Sequence, residues 1–464
     1  MMRLMPILAV LVLSMSIEFV VQLVPSAPPR LSLLLDALIG VIAITVFVKI
    51  LAERSWALIP ARYFLLMLAF TYVCITGLIL NAVPTDTAFA GSRYFFRYLP
   101  VVLLPFAFKL DEREQKLILG VFAFIFMLQL PVTVLQRFVF WSDLVTGDEV
   151  RGTYGSSSSV AVMACIGLVF TLTFYIKGRI GAVRAGMLSL VLLIPPSLAE
   201  AKVTPILIAV GVAVLVWQFR KQFSAGKMLL VSIATFAGIT MFVVVYSVMY
   251  SPEEGVGYFE VMTDDRYQYQ YEDIEAPELE LNLAERSDQL GKFNPTAAIQ
   301  TNREPGRIDS MLMPFQALWP NEPLTLLFGV GIGNMTSNFG QGGDYFYLTK
   351  SMSGASTTIS HLLWETGLFG CILYLYFLIS LVFDCLKYSH DREDFISVIA
   401  MAMVPTSAIM GLTLIYTNTF FRFDIMLPYL FMMALVLADR RRAAKEVPIP
   451  IQQSLSNKTR AIPI

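Results

Sequence analysis

Residues 63–82 read YFLLMLAFTYVCITGLILNA, a run of twenty residues without a charged side chain. A helix of about 20 mostly apolar residues spans the hydrocarbon core of a bilayer. The run therefore predicts a transmembrane helix, because a surface helix of a soluble protein carries polar side chains along one face. Similar stretches recur along the chain.

The composition extends this prediction to the whole chain of 464 residues. Hydrophobic residues make up 56% and charged residues 15%, against roughly 25% charged residues in an ordinary soluble domain. A soluble protein of this size needs more polar surface, so we expect a bilayer to surround much of the chain. The formal net charge of −1 gives no reason to expect nucleic acid as a partner.

Twelve apolar segments are predicted as membrane spans. They cover residues 4–24, 31–51, 63–82, 94–109, 116–137, 157–176, 185–199, 203–219, 228–250, 358–383, 395–416 and 423–438. We predict an all-α polytopic membrane protein with about 12 transmembrane helices and one large external loop between helices 9 and 10. The expected division is helices 1–9 in residues 1–250, the loop in 251–357, helices 10–12 in 358–438, and a tail in 439–464.

Lysine and arginine predict the orientation of these spans, because short cytoplasmic loops carry an excess of them. Outside the long loop, most lysines and arginines fall in every second loop between the predicted spans, and these loops lie on one side of the membrane. The C-terminal flank adds Arg440, Arg441, Arg442 and Lys445 to the same side. Both termini are therefore predicted to be cytoplasmic, which an even number of spans allows. The long loop then lies outside, and its first part is acidic and tyrosine-rich.

Neither a metal site nor a disulfide framework is predicted. The chain has only two histidines, His361 and His390, which excludes a His-rich site. The adjacent acidic pairs of the long loop are interpreted as solvated surface. The cysteines all lie in apolar runs without metal-ligand spacing; they are Cys74, Cys165, Cys371 and Cys385.

Ionisable residues near the spans concentrate at the predicted outer end. Such groups are costly in a bilayer and mark functional sites by default. They are Glu18, Asp36, Arg93, Arg97, Arg151, Glu200, Lys202, His361, Glu365, Arg422 and Asp424. Cations at the outer leaflet suit an anionic headgroup, whereas an ion pathway needs polar groups near the midplane.

Structural explanations stay open for several of these residues. Arg93 would also serve as an interfacial anchor. Glu18 and Asp36 would also form a structural pair with an arginine, and Glu200 with Lys202 would also cap a tight turn.

The most specific pattern lies in residues 307–370. Arg307 is followed by Pro323, by FGVGIGN at residues 328–334, and by SHLLWETGLFG at residues 360–370. The glycine run is not a dinucleotide fingerprint, because its third glycine has the wrong spacing and no βαβ unit surrounds it. His361 and Glu365 are four residues apart, which puts both on one side of a helix.

This arrangement resembles the O-antigen ligase and O-antigen polymerase (Wzy-type) superfamily of bacterial inner-membrane glycosyltransferases. In that family a periplasmic loop carries an arginine and a glycine-rich run, and a histidine opens the next span before E-x-G-x-x-G. The matching residues here are Arg307, Pro323, Gly329, Gly331, Gly333, Asn334, His361, Glu365, Gly367 and Gly370. Arg151 in RGTYGS matches a second family motif more weakly, and Lys202 stands where members often have arginine.

The resemblance implies transfer of a glycan from undecaprenyl diphosphate to a sugar hydroxyl at the periplasmic face, without metal or cofactor. Arginine suits a diphosphate because its guanidinium makes paired charge-assisted bonds. In this reading His361 is the general base and Glu365 orients it. The expected diphosphate-binding residues are Arg151, Lys202, Arg307, Arg93 and Arg97, and the loop-shaping residues are Gly329, Gly331, Gly333 and Asn334.

The resemblance also implies the partners and the location. They are a lipid-linked glycan donor, a glycan acceptor, membrane lipid and a chain-length regulator protein, at the bacterial inner (cytoplasmic) membrane. Three functions stay open. A polymerase is preferred because the external loop is long and tyrosine-rich. A ligase that transfers glycan to lipid A core or protein shares the chemistry. A twelve-span secondary transporter is disfavoured by the uncharged midplane and the lack of repeats.

Overall fold

The structure is a computed structural model that describes residues 5–23, 32–140, 149–220, 225–250, 307–319, 322–335, 337–338, 341–342, 357–389, 394–419 and 422–446. The described residues are predominantly helical, which confirms the all-α prediction. The acidic, tyrosine-rich part of the long loop and the tail from residue 447 lie outside them.

Helices run through almost all of the chain before the long loop. They are α1 (Met5–Leu23), α2 (Ser32–Ala52), α3 (Ala61–Leu80), α4 (Thr85–Phe96), α5 (Leu99–Ala107), α6 (Glu112–Leu135), α7 (Ser157–Ile176), α8 (Ala182–Leu198), α9 (Thr204–Phe219) and α10 (Ala225–Tyr250). A 3-10 turn at Ser55–Leu58 precedes α3, and a π-helical turn at Gln136–Phe140 follows α6.

Two short helices lie within the long loop and three long ones follow it. They are α11 (Arg307–Leu318), α12 (Pro323–Phe328), α13 (Thr358–Tyr388), α14 (Phe395–Tyr416) and α15 (Phe423–Glu446). Between α12 and α13, β1 (Ser337–Asn338) pairs antiparallel with β2 (Gln341–Gly342), with Ser337 opposite Gly342.

Seven helices of the described chain are long and apolar enough to cross a membrane, so the protein is a multi-pass membrane protein. They cover Leu34–Ala52, Ala61–Leu80, Glu112–Phe140, Ser157–Ile176, Gly226–Met249, Thr358–Tyr388 and Phe395–Tyr416. Shorter apolar helices lie at Met5–Ile17, Ala182–Leu198 and Thr204–Phe219. The total of twelve spans stays a prediction.

The fourth predicted span differs from the structure. Residues 94–109 are not one helix, since they are divided between α4 and α5 by a turn at Arg97 and Tyr98. Pro100 lies in the first turn of α5, and proline has no N–H with which to continue a hydrogen-bond ladder from the preceding helix. A hydropathy profile detects the apolar run but not the backbone N–H that Pro100 lacks.

Helices α13, α14 and α15 alternate in direction, and this gives the bundle two distinct ends. At one end the start of α13 meets the end of α14, where the Thr358 N–H donates to the Thr417 carbonyl over 3.2 Å. We call this the site end. At the opposite end Arg62, which begins α3, pairs with Asp384 near the end of α13. There Arg440 near the end of α15 pairs with Asp394, which caps α14.

The core of the bundle lies along α7, α14 and α15. Most of α7 and α14 is buried, whereas α3 and α10 turn most of their apolar surface outward. Residues 425–438 of α15 are buried without a break. An exposed apolar helix is stable only against lipid, so α3 and α10 lie at the periphery and α15 lies inside.

Candidate functional site

A buried loop of residues 329–335, the glycine loop, connects α12 to the segment that precedes β1. Gly329, Gly331 and Gly333 have φ values of +80°, +96° and +88°. Glycine adopts this region without strain because it has no Cβ. The three glycines therefore permit a backbone path that other residues would resist.

The glycine loop lies against the end of α3 and the start of α4. A Cβ on Gly331 would lie 2.6 Å from a methyl group of Val83, and one on Gly333 would overlap the carbonyl of Thr87. Gly91 of α4 faces the same backbone, since a Cβ there would overlap the nitrogen of Gly333. The contact is thus backbone against backbone, which only glycines allow.

The same loop crosses α13 where that helix is interrupted. Gly367 has φ +65° and ψ −169°, which are not helical values. A Cβ on Gly367 would overlap the nitrogen of Gly329, and a Cβ on Gly329 would overlap the carbonyl of Glu365. Beside this crossing the N–H of Val330 donates to the Trp364 carbonyl over 2.7 Å. The kink and the glycine loop therefore fit each other.

Glu365 fastens the glycine loop with both oxygens of its carboxylate. Oε2 accepts from the N–H of Gly333 at 3.1 Å, and Oε1 accepts from the N–H of Met335 at 3.2 Å. The side chain is fully buried, and a buried carboxylate is tolerable only with such hydrogen bonds. These contacts give Glu365 a loop-holding role, while its orientation of His361 stays a prediction.

Two asparagines close the loop at its ends. The Nδ2 of Asn81, which caps α3, donates to the carbonyls of Gly329 at 2.9 Å and Gly77 at 2.8 Å. The Nδ2 of buried Asn334 donates to the Val330 carbonyl at 3.1 Å. The Asn334 hydrogen bond thus lies within the glycine loop, and its loop-shaping role stays a prediction.

His361 lies in the first turn of α13 and is 6% exposed. Its Nδ1 lies 3.0 Å from the Nδ2 of Asn418. The Thr357 hydroxyl caps the helix by accepting from the N–H of Ser360 at 3.1 Å. The Thr358 hydroxyl donates to the Thr417 carbonyl at 3.1 Å, which holds the segment after α14 beside the ring.

Arg307, at the start of α11, reaches the same segment. Its guanidinium carbon lies 3.7 Å from the centroid of the Tyr416 ring, a stacked cation–π contact. One turn further on, the Ser310 carbonyl accepts from the Ser360 hydroxyl at 2.7 Å. Arg307 and His361 are therefore brought together through residues 416–418, although more than fifty positions separate them in the sequence.

Residues 416–419 and 422–424, which we call the connector, lie where α14 ends and α15 begins and touch further predicted groups. Phe423 stacks on Tyr98 at 5.3 Å, and its ring lies 4.6 Å from the guanidinium carbon of Arg97. Asp424 is buried, and its Oδ2 accepts from the N–H of Gly155 at 3.3 Å, next to the loop that carries Arg151. Asn418 was not among the predicted site residues. The signal for it was the polar break TNT at residues 417–419 between two apolar runs.

The loop that carries Arg151 is held by two glutamines of the α6 segment. Gln136 bonds both backbone groups of Gly152, at 2.7 and 2.8 Å. Gln129 bonds the N–H and the hydroxyl of Thr153, at 2.8 and 2.7 Å. Arg151 itself pairs with Glu149 at 2.8 Å. The backbone beside Arg151 is therefore held by hydrogen bonds from side-chain amides, in the way that a neighbouring β-strand would hold it.

The other predicted cations have carboxylate or aromatic neighbours. Arg93 pairs with Asp36, which agrees with the structural-pair explanation of that acid. Lys202 pairs with Glu200 at 3.2 Å, and Glu200 has φ +51°, which agrees with the tight turn. The Arg97 guanidinium carbon lies 5.2 Å from the rings of both Tyr94 and Tyr98. Arg97 reaches the connector through Phe423.

No protein family and no curated protein matches this sequence. Within the described part of the chain, no three His, Cys, Asp or Glu side chains are grouped so that they could hold a metal ion.

Proposed function

We propose that the protein is a glycosyltransferase of the O-antigen polymerase and ligase type. It would transfer a glycan from undecaprenyl diphosphate to a sugar hydroxyl at the periplasmic face of a bacterial inner membrane. The observation that carries the proposal is the meeting of Arg307 and His361 on the connector. A strong cation for a phosphate and a base for a hydroxyl are the two groups that this transfer needs.

The reaction moves one bond and one proton. The acceptor oxygen attacks the anomeric carbon of the donor sugar, and the bond from that carbon to the diphosphate oxygen breaks. The electron pair leaves with the lipid diphosphate, which gains negative charge. The proton of the attacking hydroxyl passes to His361.

Arg307 would stabilise the leaving diphosphate. Stacking on Tyr416 uses the face of the guanidinium, whereas phosphate recognition uses the N–H donors of its edge. Both contacts are therefore compatible in one side chain. The aromatic ring also limits the side-chain freedom of the arginine, so less entropy is lost when the phosphate binds.

Arg151 and Arg97 would support Arg307 through the connector. The Asp424 carboxylate ties the connector to Gly155, close to Arg151, and Phe423 ties it to Arg97. The predicted first external loop, residues 25–30, has no acidic residue of the kind that metal-dependent lipid-linked transferases carry. Cationic side chains would therefore stabilise the negative charge of the diphosphate, as a metal ion does in those transferases.

The membrane side follows from charge. The site end opposes the end where Arg440, Arg441 and Arg442 cluster after the last apolar run. By the positive-inside rule we expect those arginines to be cytoplasmic, and this supports a periplasmic position for the site end. Lipid-linked glycans are polymerised on that face.

Reconstitution with a defined donor tests the proposal. The purified protein is placed in lipid vesicles with an undecaprenyl diphosphate-linked repeat unit, and products are separated by size. Glycans of two or more repeats, with release of undecaprenyl diphosphate, are the expected result. Transfer only to added lipid A core would identify a ligase instead. Solute movement without consumption of the donor would reject both and favour a transporter.

A further inference from the structure

The contact between His361 and Asn418 leaves one buried atom without a partner. Asn418 directs its Nδ2 toward Nδ1 of the ring at 3.0 Å. Its Oδ1 is buried and accepts no hydrogen bond from the residues that the structure describes. Most buried polar side-chain atoms in proteins are satisfied, so an unpartnered oxygen this close to the candidate base calls for an explanation.

The protonation of the ring supplies that explanation. In a neutral imidazole one nitrogen donates and the other accepts. When Nδ2 of Asn418 donates to Nδ1, the lone pair lies on Nδ1 and the proton lies on Nε2. A ring in this tautomer cannot take a proton at Nε2. Once the ring is an imidazolium both nitrogens donate, and Nδ1 then needs an acceptor.

A half-turn of the Asn418 amide exchanges its oxygen and its nitrogen without moving the backbone. The backbone is fixed at that place, since Thr358 holds Thr417 through two bonds and its hydroxyl lies 3.2 Å from that of Thr419. The amide can thus offer Nδ1 either a donor or an acceptor from a constant position.

We propose that Asn418 is a positioning residue that selects the base-competent tautomer of His361. Its Oδ1 turns toward the ring and accepts from Nδ1–H, which leaves the Nε2 lone pair for the acceptor hydroxyl. The same oxygen stabilises the imidazolium that forms when the hydroxyl proton arrives. This inference rests on the proposed function, in which His361 is the base.

The tautomer is measurable because the chain has only two histidines. A His390→Gln background leaves His361 as the single ring, and ¹⁵N-histidine labelling then reports the proton on each ring nitrogen by NMR. In this background we expect the resting ring to carry its proton on Nε2. Asn418→Asp, which keeps the shape but offers only acceptors, should move a proton to Nδ1. Asn418→Leu has neither donor nor acceptor and should lose any fixed tautomer.

The kinetic test compares the same variants. For Asn418→Leu we expect kcat to fall about 10–100-fold, by analogy with the loss of a partner that orients a metal-bound histidine. KM for the lipid-linked donor should change little, because the arginines bind it. The kcat of Asn418→Asp should exceed that of Asn418→Leu, since the acceptor is restored.

Two results would overturn the inference. One is a ring proton that stays on Nε2 in Asn418→Asp. The other is a kcat for Asn418→Leu equal to that of the His390→Gln background. Failure of the proposed function is a separate outcome, because the ¹⁵N measurement needs no turnover. If the tautomer of His361 changes with the substitution at position 418 in a protein that transfers no glycan, the positioning role of Asn418 is supported and only the proposed reaction is rejected.

Discussion

The guanidinium of Arg307 lies with its face on the ring of Tyr416, and this contact limits which side chains can replace it. A lysine would keep the positive charge, but it has no planar group to stack and no paired donors for a phosphate. The residue combines a packing role in the site with a charge role in the proposed reaction. Substitutions at position 307 can separate the two roles.

The first prediction concerns this pair of substitutions. Arg307→Ala should abolish product formation, and Arg307→Lys should recover little activity. The ammonium group of lysine cannot make the paired hydrogen bonds that a guanidinium makes to a diphosphate. The measurement is polymer formed per mole of purified protein. Arg113→Ala is the matched control, because Arg113 is an exposed arginine in the first turn of α6. Full activity of Arg307→Lys would show that the reaction requires only a positive charge at position 307.

The second prediction concerns the candidate base. His361→Ala and His361→Gln should each lower kcat by about 10²–10⁴-fold, the usual effect of losing general base catalysis. Glutamine keeps the hydrogen-bonding capacity but accepts no proton at neutral pH. Donor binding should change little, and His390→Ala should behave as the wild type. Near-normal polymer formation by His361→Gln would reject His361 as the general base and would not affect the proposed role of the arginines.

At the level of elements, the crossing of the glycine loop and α13 is the tightest junction of the site. Two chain segments approach through Gly329 and Gly367, both with positive φ. Glu365, between the kink and His361, bonds the far end of the loop. A shift of the loop would therefore move the first turns of α13, on which His361 lies.

The third prediction tests this junction. Gly329→Ala or Gly367→Ala should destabilise the protein by at least about 2 kcal/mol, because the left-handed backbone alone costs roughly 1–2 kcal/mol and backbone overlap adds to it. Both should also lose activity. Gly411→Ala in α14 is the control, since a Cβ there meets nothing within 4 Å. Thermal unfolding in detergent is the measurement. Equal melting temperatures for all three would show that the loop adapts.

The helix ends at the opposite side of the bundle are joined by charge. Arg440 binds both oxygens of Asp394, at 2.8 and 2.9 Å, and the N–H of Ser397 donates to the same carboxylate at 2.8 Å. Burial opposes ionisation, but the hydrogen bonds from Arg440 and Ser397 prevail and hold the pKa of Asp394 below its ordinary value. The pair thus fastens the start of α14 to the end of α15.

The fourth prediction is the pH dependence of this pair. A carboxyl whose pKa is lower in the folded state stabilises that state above its unfolded pKa, near 3.9. The contribution is lost as pH falls through the lower folded value. Asp394→Asn should therefore melt below the wild type at pH 7, and the difference should shrink below about pH 4. A difference that stays constant between pH 7 and pH 3 would assign the effect to packing.

On the scale of the whole molecule, the ion pairs and the site contacts named above for the described residues lie toward the two ends of the bundle. The connector, the glycine loop and the start of α13 meet at the site end. Arg62 with Asp384, and Arg440 with Asp394, mark the opposite end. A bilayer would lie between the two, around the apolar surfaces of α3 and α10.

The fifth prediction is the topology that this division requires. A cytoplasmic reporter fused after Arg442 should be active, and a periplasmic reporter inserted near Gln289 should be active as well. Each position also receives the other reporter as its own control, which should be silent. A cytoplasmic signal at Gln289 would move the long loop, and Arg307 with it, to the wrong side for a lipid-linked periplasmic donor.

Local composition was sufficient to predict much of this protein. The apolar runs predicted a multi-pass helical membrane protein, and most of their boundaries coincide with helices because hydrophobic length is a local property of the chain. The run at residues 157–176 coincides with α7 without a shift. The fourth span was wrong where Pro100 interrupts the backbone ladder, which hydropathy does not register.

The assembly of the site was decided only by tertiary structure. No sequence pattern indicated that Tyr416 would contact Arg307, that Asn418 would contact His361, or that Gly91 would face Gly333. Each contact joins segments that are distant in the chain, and the packing angles and directions of whole helices determine which of them meet. Glu365 shows the difference most clearly. Its four-residue spacing from His361 put both on one side of α13, but the fold supplied the backbone N–H groups that its carboxylate binds, because a buried charge requires donors and the glycine loop brings them.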